Sequence, residues 1–446
     1  MKKAKPSPYR FSALSTRRRS DAALFKKLVS VDEAQRILAK NYVPKPVGTE
    51  VVPLSESYDR VLVGDVVSPS DIPPFDRSTV DGYAVKAEDT FGAEEAHALK
   101  LRLIGRVSIG ETPKVKIQKG TLAEIVTGAP IPSGANAVVM VEYTERQDDF
   151  VLVRQAVSIG GNIMKAGSDI RQGETVLNKG TVLSPYEVGV LAAVGAAKAE
   201  VYKRPRVAVF STGAEVVEPG NLLKPGKIFD INAHALSAAV LDCGGQPLNM
   251  GIVQDEPEKM QTALSKAQET ADVVITSGGV SVGPTDIIPK VLNTLGKPGV
   301  IVYGIAIRPG KPTAIALVNR KLVFSLPGHP TSSLLIFHLF VRPVLLRMAG
   351  REEEHPMILK AKTSERLFPS RGRRTYVTVT LKENRSGELI ASPVPTGLSG
   401  AITTLSKADG FTVIHENQQF VEKGTTVNVE LFKPSIRYFL MRGESK

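Results

Sequence analysis

The sequence predicts an α/β plus all-β protein. We expect a central, doubly wound, mostly parallel sheet domain flanked by a β-rich insertion domain, a connector region and a C-terminal β-barrel-like domain. Three observations lead there. The 446 residues exceed one ordinary domain. Between Arg206 and Met348 continuous apolar runs alternate with helical patterns, the mark of strands buried on both faces between helices. After Gly350 the apolar period changes to two, as in Val377, Val379 and Leu381 and again in Val427, Val429 and Leu431, which is strand spacing.

The elements follow in chain order. Residues 1–29 read as a basic, disordered leader. Ser30 and Glu33 have capping-box spacing ahead of Ala34, Ile37 and Leu38, so a helix runs to Tyr42. Residues 30–69 and 159–200 read as a connector that joins back on itself. Residues 70–158, cut by Gly105, Gly110, Gly120, Gly128 and Gly134, read as a small β-rich domain. Residues 201–350 form the α/β domain. Its strands are Val207–Phe210, Leu248–Val253, Asp272–Thr276 and two more ending at Ile307 and Ser325. Its helices are Ala233–Leu241, Glu256–Thr270, one after Thr276, and Thr331–Met348. Residues 355–435 form the small antiparallel domain or barrel.

Composition excludes several classes. The chain is 42% hydrophobic and 23% charged, an ordinary globular balance. Its net charge is +12, but residues 1–30 hold nine Lys or Arg against Asp21 alone, so +8 sits in the leader and +4 in the rest. A nearly neutral body is poorly suited to nucleic acid. The single Cys243 excludes an intrachain disulfide or a Cys-rich zinc site and fits a cytoplasmic setting. Arg17-Arg18-Arg19 is not followed by an apolar stretch, so it is no secretory signal; an organelle transit peptide is the other reading of this acid-poor leader. Leu334–Val341, the longest apolar stretch, is far short of a membrane span.

Open parallel sheets bind ligands beyond the carboxyl ends of their strands. There the sequence places Ser211-Thr212-Gly213-Ala214-Glu215, Gln254-Asp255-Glu256, Ser277-Gly278-Gly279-Val280-Ser281-Val282-Gly283 with Asp286, Arg308-Pro309-Gly310-Lys311-Pro312, and Leu326-Pro327-Gly328-His329-Pro330. Paired glycines let backbone N–H groups approach an anion, and hydroxyls add hydrogen bonds. Arg308 and Lys311 supply positive charge. Glu215, Asp255 and Asp286 would repel phosphate unless a hard cation such as Mg²⁺ bridges them to it. Singly, each loop reads as a turn or a helix-terminal charge; together they describe a site for a phosphorylated ligand and a metal ion. There is no lysine-bearing Walker loop. A second constellation lies in Phe75-Asp76-Arg77-Ser78-Thr79-Val80-Asp81-Gly82-Tyr83-Ala84-Val85 and Thr127-Gly128-Ala129-Pro130, which carry more acids than a turn requires.

In their order these loops resemble the molybdopterin molybdotransferases, the family of bacterial MoeA and the gephyrin E domain, over about residues 30–435. The resemblance implies a Mg²⁺-dependent transferase of molybdenum cofactor biosynthesis. It would insert molybdate (or tungstate) into adenylylated molybdopterin (molybdopterin-AMP), with phosphoanhydride cleavage and AMP release. It implies a cytoplasmic homodimer with the site between subunits and a molybdopterin adenylyltransferase as pathway partner. Carried onto this chain, Asp76, Glu215, Asp255 and Asp286 are catalytic, the last three also binding metal. Thr127, Ser211, Thr212, Gly213, Ser277, Gly278, Gly279, Ser281, Pro327 and Gly328 bind the pterin substrate. Arg308, Lys311, Pro312 and Ser399 hold the oxyanion.

Some residues depart from the family pattern. Arg308 stands where Lys is common, His329 where Asn is frequent, Ser168 for a Glu and Arg77 for an Asn. Thr378 stands where an Arg is often found, a loss that Arg373 or Arg374 would have to compensate. The alternative function is a non-catalytic paralogue that binds, stores or scaffolds the cofactor. The adenylyltransferase of the preceding step is a third reading, disfavoured by the flanking β-rich regions.

Overall fold

The computed structural model describes residues 28–280, 287–352, 356–394 and 401–432. The basic leader up to residue 27 therefore lies outside the described residues. The chain divides into two units, one of residues 50–201 and one built from the segments before and after it.

In the first unit a curled six-stranded sheet runs in the order Ala137–Met140, Gly82–Val85, Thr121–Ile125, Leu99–Val107, Phe150–Val153, Thr144–Gln147. Gly82–Val85 is buried on both faces: Tyr83 and Val85 pack into one apolar cluster and Ala84 into another. Three two-stranded ribbons link early and late segments. Thr49–Pro53 pairs with Lys198–Tyr202, Val66–Val67 with Thr175–Leu177, and Arg77–Ser78 with Ile163–Met164. A full capping box, Ser184 with Glu187, starts the helix Pro185–Ala193 by satisfying orphan N–H groups at its first turn.

The second unit contains the α/β domain. Its sheet runs Gln246–Val253, Arg206–Thr212, Val273–Ser277, Lys321–Leu326, Ala314–Val318, Pro298–Tyr303. The first four strands are parallel, and the last two pairings are antiparallel, so that Ala314–Val318 alone runs against the rest. Alternation along each strand divides the core. Val207, Val209, Val273, Ile275 and Phe324 face Asn232–Asp242 and Pro330–Met348. Ala208, Phe210, Val274 and Val323 face Pro257–Thr270 and Ile287–Leu295. Helices thus cover both faces, as the near-continuous apolar strands require.

Several expectations need correction. The strand Ile307–Arg308 leaves the α/β sheet and pairs in parallel with Arg374–Glu383 of the C-terminal domain, Ile307 opposite Arg374 and Arg308 opposite Thr375. The expected final helix is broken by a π-turn at Phe337–Val341 before Arg342–Met348; Pro343 has no N–H to continue the regular ladder. This helix is, among the described residues, long and apolar enough to cross a membrane, but 67% of its apolar window is buried in the α/β core. The helix Val31–Asn41 packs Val31, Ala34 and Leu38 into the same core, not with the connector strands. Ser30 caps it by accepting from the Glu33 N–H at 3.1 Å, while the Glu33 carboxylate goes to Arg36 at 2.6 Å.

The C-terminal domain is a closed five-stranded ring: Arg374–Glu383, Leu389–Pro393, Ile358–Thr363, Thr426–Leu431, Gly410–Ile414 and back to the first. Its interior holds Ala361, Val379, Leu381, Ala391, Val429 and Leu431. One pair, Ile358–Thr363 with Leu389–Pro393, is parallel; the rest of the ring is antiparallel.

Candidate functional site

The parallel strands end level with one another: Ser211 lies opposite Ser277, and Ser277 opposite Leu326. Beyond them opens a cleft of about 650 Å³ lined by Ser211, Thr212, Gly213, Glu215, Asp255, Ser277, Gly278, Gly279, Pro327 and Gly328. Gly278 has φ +93°, and a Cβ there would sit 2.4 Å from the Thr212 carbonyl oxygen. Only glycine fits so close an approach. A Cβ on Gly213 would meet the Glu215 carboxylate at 2.8 Å, so a bare backbone seats that carboxylate.

Two residues that sequence reasoning missed organise this cleft. Asp230 Oδ1 accepts from Ser211 Oγ at 2.8 Å and from the Ala233 N–H at 3.0 Å. Asn232 Nδ2 donates to Ser277 Oγ at 2.7 Å and to the Gly328 carbonyl at 2.6 Å. They join the loops after three strands to one helix start. The signal was present for Asp230, since an Asp just ahead of an Ala-rich helix is a capping residue; Asn232 opens the helix itself.

A second cleft of about 490 Å³ shares Pro312, Pro327 and His329 with the first. Arg308, Lys311 and Arg373 line it, with Thr375, Thr378 and the π-turned helix's Thr331 and Ser332. No carboxylate is among its described lining residues, and no Lys or Arg is among those of the first cleft. Opposite charges are thus kept apart on either side of a Pro/His wall.

Arg374 does not face this cleft's ligand space. It is held by Asp32 at 2.6 and 2.8 Å and by Glu416 at 3.1 and 3.3 Å. These hydrogen bonds hold the Asp32 and Glu416 carboxyls below their ordinary range and push the guanidinium's own proton affinity up.

The second constellation belongs to the unit of residues 50–201. Asp76 accepts from Lys165 Nζ at 2.7 Å and from the Ala166 N–H at 2.9 Å, and the Lys165 bond lowers its pKa. Asp81 Oδ1 accepts from the Thr127 N–H at 2.7 Å and from Thr127 Oγ1 at 2.9 Å, which lowers its pKa too. Thr127 is therefore fixed by Asp81, an acid of the same constellation, and Asp76 by Lys165, which sequence reasoning missed.

Ser281, Asp286 and Ser399 lie outside the described residues. Among the described residues no group of three His, Cys, Asp or Glu side chains converges for a metal. Glu215 and Asp255 do line one cleft, with no cation among its described lining residues to neutralise them. Two carboxylates of this kind suit a hard divalent cation that keeps several water ligands.

Comparison with known proteins places this architecture. Residues 29–195 match the MoeA N-terminal region (domain I and II), residues 208–347 a probable molybdopterin binding domain, and residues 360–432 the MoeA C-terminal region (domain IV). The chain is 34% identical to the molybdopterin molybdenumtransferase of Bacillus subtilis, over 91% of this chain and 94% of that one. It is 35% identical to molybdopterin molybdenumtransferase 2 of Mycobacterium tuberculosis, over 90% and 98%. A molybdopterin biosynthesis MoeA protein of Pyrococcus horikoshii superposes with a TM-score of 0.72 at 33% identity, over 91% of this chain and all of that one. Another Pyrococcus MoeA structure gives 0.76 at 42% identity, over 92% and 100%. With three family regions in order along its length and relatives matched nearly end to end, the chain belongs to the molybdopterin molybdenumtransferase (MoeA) family and is a transferase of molybdenum cofactor biosynthesis.

Proposed function

We propose that this transferase inserts molybdate, or its near-isosteric analogue tungstate, into adenylylated molybdopterin, with cleavage of the phosphoanhydride and release of AMP. The observation that carries the reading is the charge division between the two adjoining clefts. Glu215 and Asp255 line one, and Arg308, Lys311 and Arg373 line the other. A reaction that joins a dianionic oxyanion to a phosphorylated pterin needs both: cations for the oxyanion, and acids that can hold a counter-ion to the phosphates.

In this reading Glu215 and Asp255, with Asp286, would hold Mg²⁺. Bound there, the ion supplies positive charge to a phosphoanhydride under attack. Ser211, Thr212, Gly213, Ser277, Gly278, Gly279, Ser281, Pro327 and Gly328 cradle the pterin substrate, the glycines by close backbone approach. Arg308 and Lys311 hold the oxyanion, Arg in a planar fork and Lys as a point charge. Pro312 shapes the wall and Ser399 adds a hydroxyl.

Asp76 and Thr127 complete the site from the partner subunit of a cytoplasmic homodimer. Lys165 keeps Asp76 ionised and in place, so the pair acts as a fixed dipole. The substrate comes from a molybdopterin adenylyltransferase. The test is AMP release from adenylylated molybdopterin by the purified chain. Release that requires molybdate or tungstate together with Mg²⁺ supports the reading; release that ignores added oxyanion defeats it.

A further inference from the structure

Among its described residues the acid-lined cleft holds three buried side-chain atoms without a partner: the Thr212 hydroxyl and two acceptors that the reaction chemistry above does not use. Asp230 is only 3% exposed. Its Oδ1 accepts two hydrogen bonds, and its Oδ2 is buried without a partner. Asn232 is 8% exposed. It spends its amide hydrogens on Ser277 and Gly328, and its Oδ1 is buried without a partner. Both leftover atoms are acceptors. Both residues line the same cleft, two positions apart at one helix start. Buried acceptors left unmet are costly and uncommon, so a pair of them calls for a donor.

The surroundings say what kind of donor. Beside the two acceptors the cleft is walled by Val216, Phe229, Ile231 and Val280. A hydrated cation gains nothing from such walls, and an anion is repelled by a carboxylate. A flat ring with adjacent N–H groups on one edge satisfies both features: its faces meet apolar side chains and its edge meets acceptors.

We infer that Asp230 and Asn232 read the 2-amino-4-oxopyrimidine edge of the pterin, through its ring N–H and exocyclic amino group. This rests on the reading of the cleft as the pterin substrate's site. It fixes the direction in which that substrate lies. The adenine of the adenylyl end has an amino group next to a ring nitrogen that accepts, so it mismatches two acceptors. The pterin ring therefore meets Asp230 and Asn232, and the adenylate takes another part of the cleft.

The experiment compares 6-hydroxymethylpterin with 6-hydroxymethyllumazine, in which the 2-amino group is replaced by a carbonyl. Binding is followed by ligand fluorescence with the full chain. The wild-type protein is expected to prefer the pterin by at least about tenfold, since the lumazine keeps a ring N–H but turns a carbonyl acceptor toward a buried acceptor where the pterin offers an amino group. Asp230→Asn, which puts an amide where the carboxylate stood, is expected to reduce the preference to within about threefold. Should that variant fail to fold, the wild-type ratio alone decides. Equal affinity of the wild type for the two rings overturns the inference, as does an unchanged preference in a folded D230N protein. AMP release is scored separately. Intact, molybdate-dependent release with no ring preference defeats the inference alone; ring preference without any AMP release defeats the transfer reaction and leaves the inference standing.

Discussion

Arg374 grips Asp32 through two parallel hydrogen bonds, Nη1 to Oδ1 at 2.6 Å and Nη2 to Oδ2 at 2.8 Å. The pair ties the first strand of the barrel ring to the N-terminal helix, 342 positions away in sequence. Arg374 is committed there and to Glu416; of the two neighbours it is Arg373 that lines the cation cleft, together with Arg308.

That clasp sets a pH dependence of stability. Asp32 and Glu416 are held below their ordinary values of 3.8 and 4.5, chiefly by the Arg374 hydrogen bonds. A carboxyl with a lowered folded-state pKa stabilises above its unfolded pKa and loses that contribution as pH falls through the folded value. Arg374→Met should therefore destabilise by about 1–3 kcal/mol at pH 7, toward the low end because Asp32 is over half exposed. Urea unfolding should show the gap between wild type and variant closing below about pH 4. A gap that persists unchanged at pH 3 would show that lost packing dominates.

Arg373→Ala should raise the molybdate concentration needed for half-maximal AMP release by roughly tenfold, the worth of one charged hydrogen bond. Arg374→Met should leave that requirement within about twofold, because its guanidinium is spent elsewhere. Titrating molybdate against both variants distinguishes the two neighbours. Equal shifts would mean that Arg373 has no private role.

Gly278→Ala places a Cβ 2.4 Å from the Thr212 carbonyl at φ +93°. The strain should cost about 1–3 kcal/mol and push apart the Ser211 and Ser277 loops. Pterin affinity should fall with it. An alanine variant of wild-type stability and affinity would remove the close approach from the account.

Much of the α/β domain was legible because its strands carry unbroken apolar runs. Val207–Phe210 and Val273–Ile275 face helices on both sides, and a short unbroken apolar run suits a strand covered on both faces. The glycines and hydroxyls at their carboxyl ends could be read for the same reason: parallel strands end together. Harder to see were relationships set by distant partners. The two-residue strand Ile307–Arg308 takes its register from Arg374 and Thr375, and nothing local reveals that choice. Asp76 meets Lys165 from 89 positions away. Asp230 carried a local signal but could not be singled out as a site residue, because a helix cap and a ligand contact use the same residue types. The π-turn near Pro343 had a local signal, since a proline inside a helical pattern disturbs the ladder.

Paired kinetics of AMP release test the division of labour between the two clefts. Glu215→Gln and Asp255→Asn should weaken the response to Mg²⁺ and lower the rate by about tenfold or more, with the half-saturating molybdate concentration nearly unchanged. Arg308→Ala and Lys311→Ala should do the reverse, raising the molybdate requirement with the Mg²⁺ response intact. If both sets of variants shift molybdate and Mg²⁺ dependence alike, the clefts do not hold separate ions and the account is wrong.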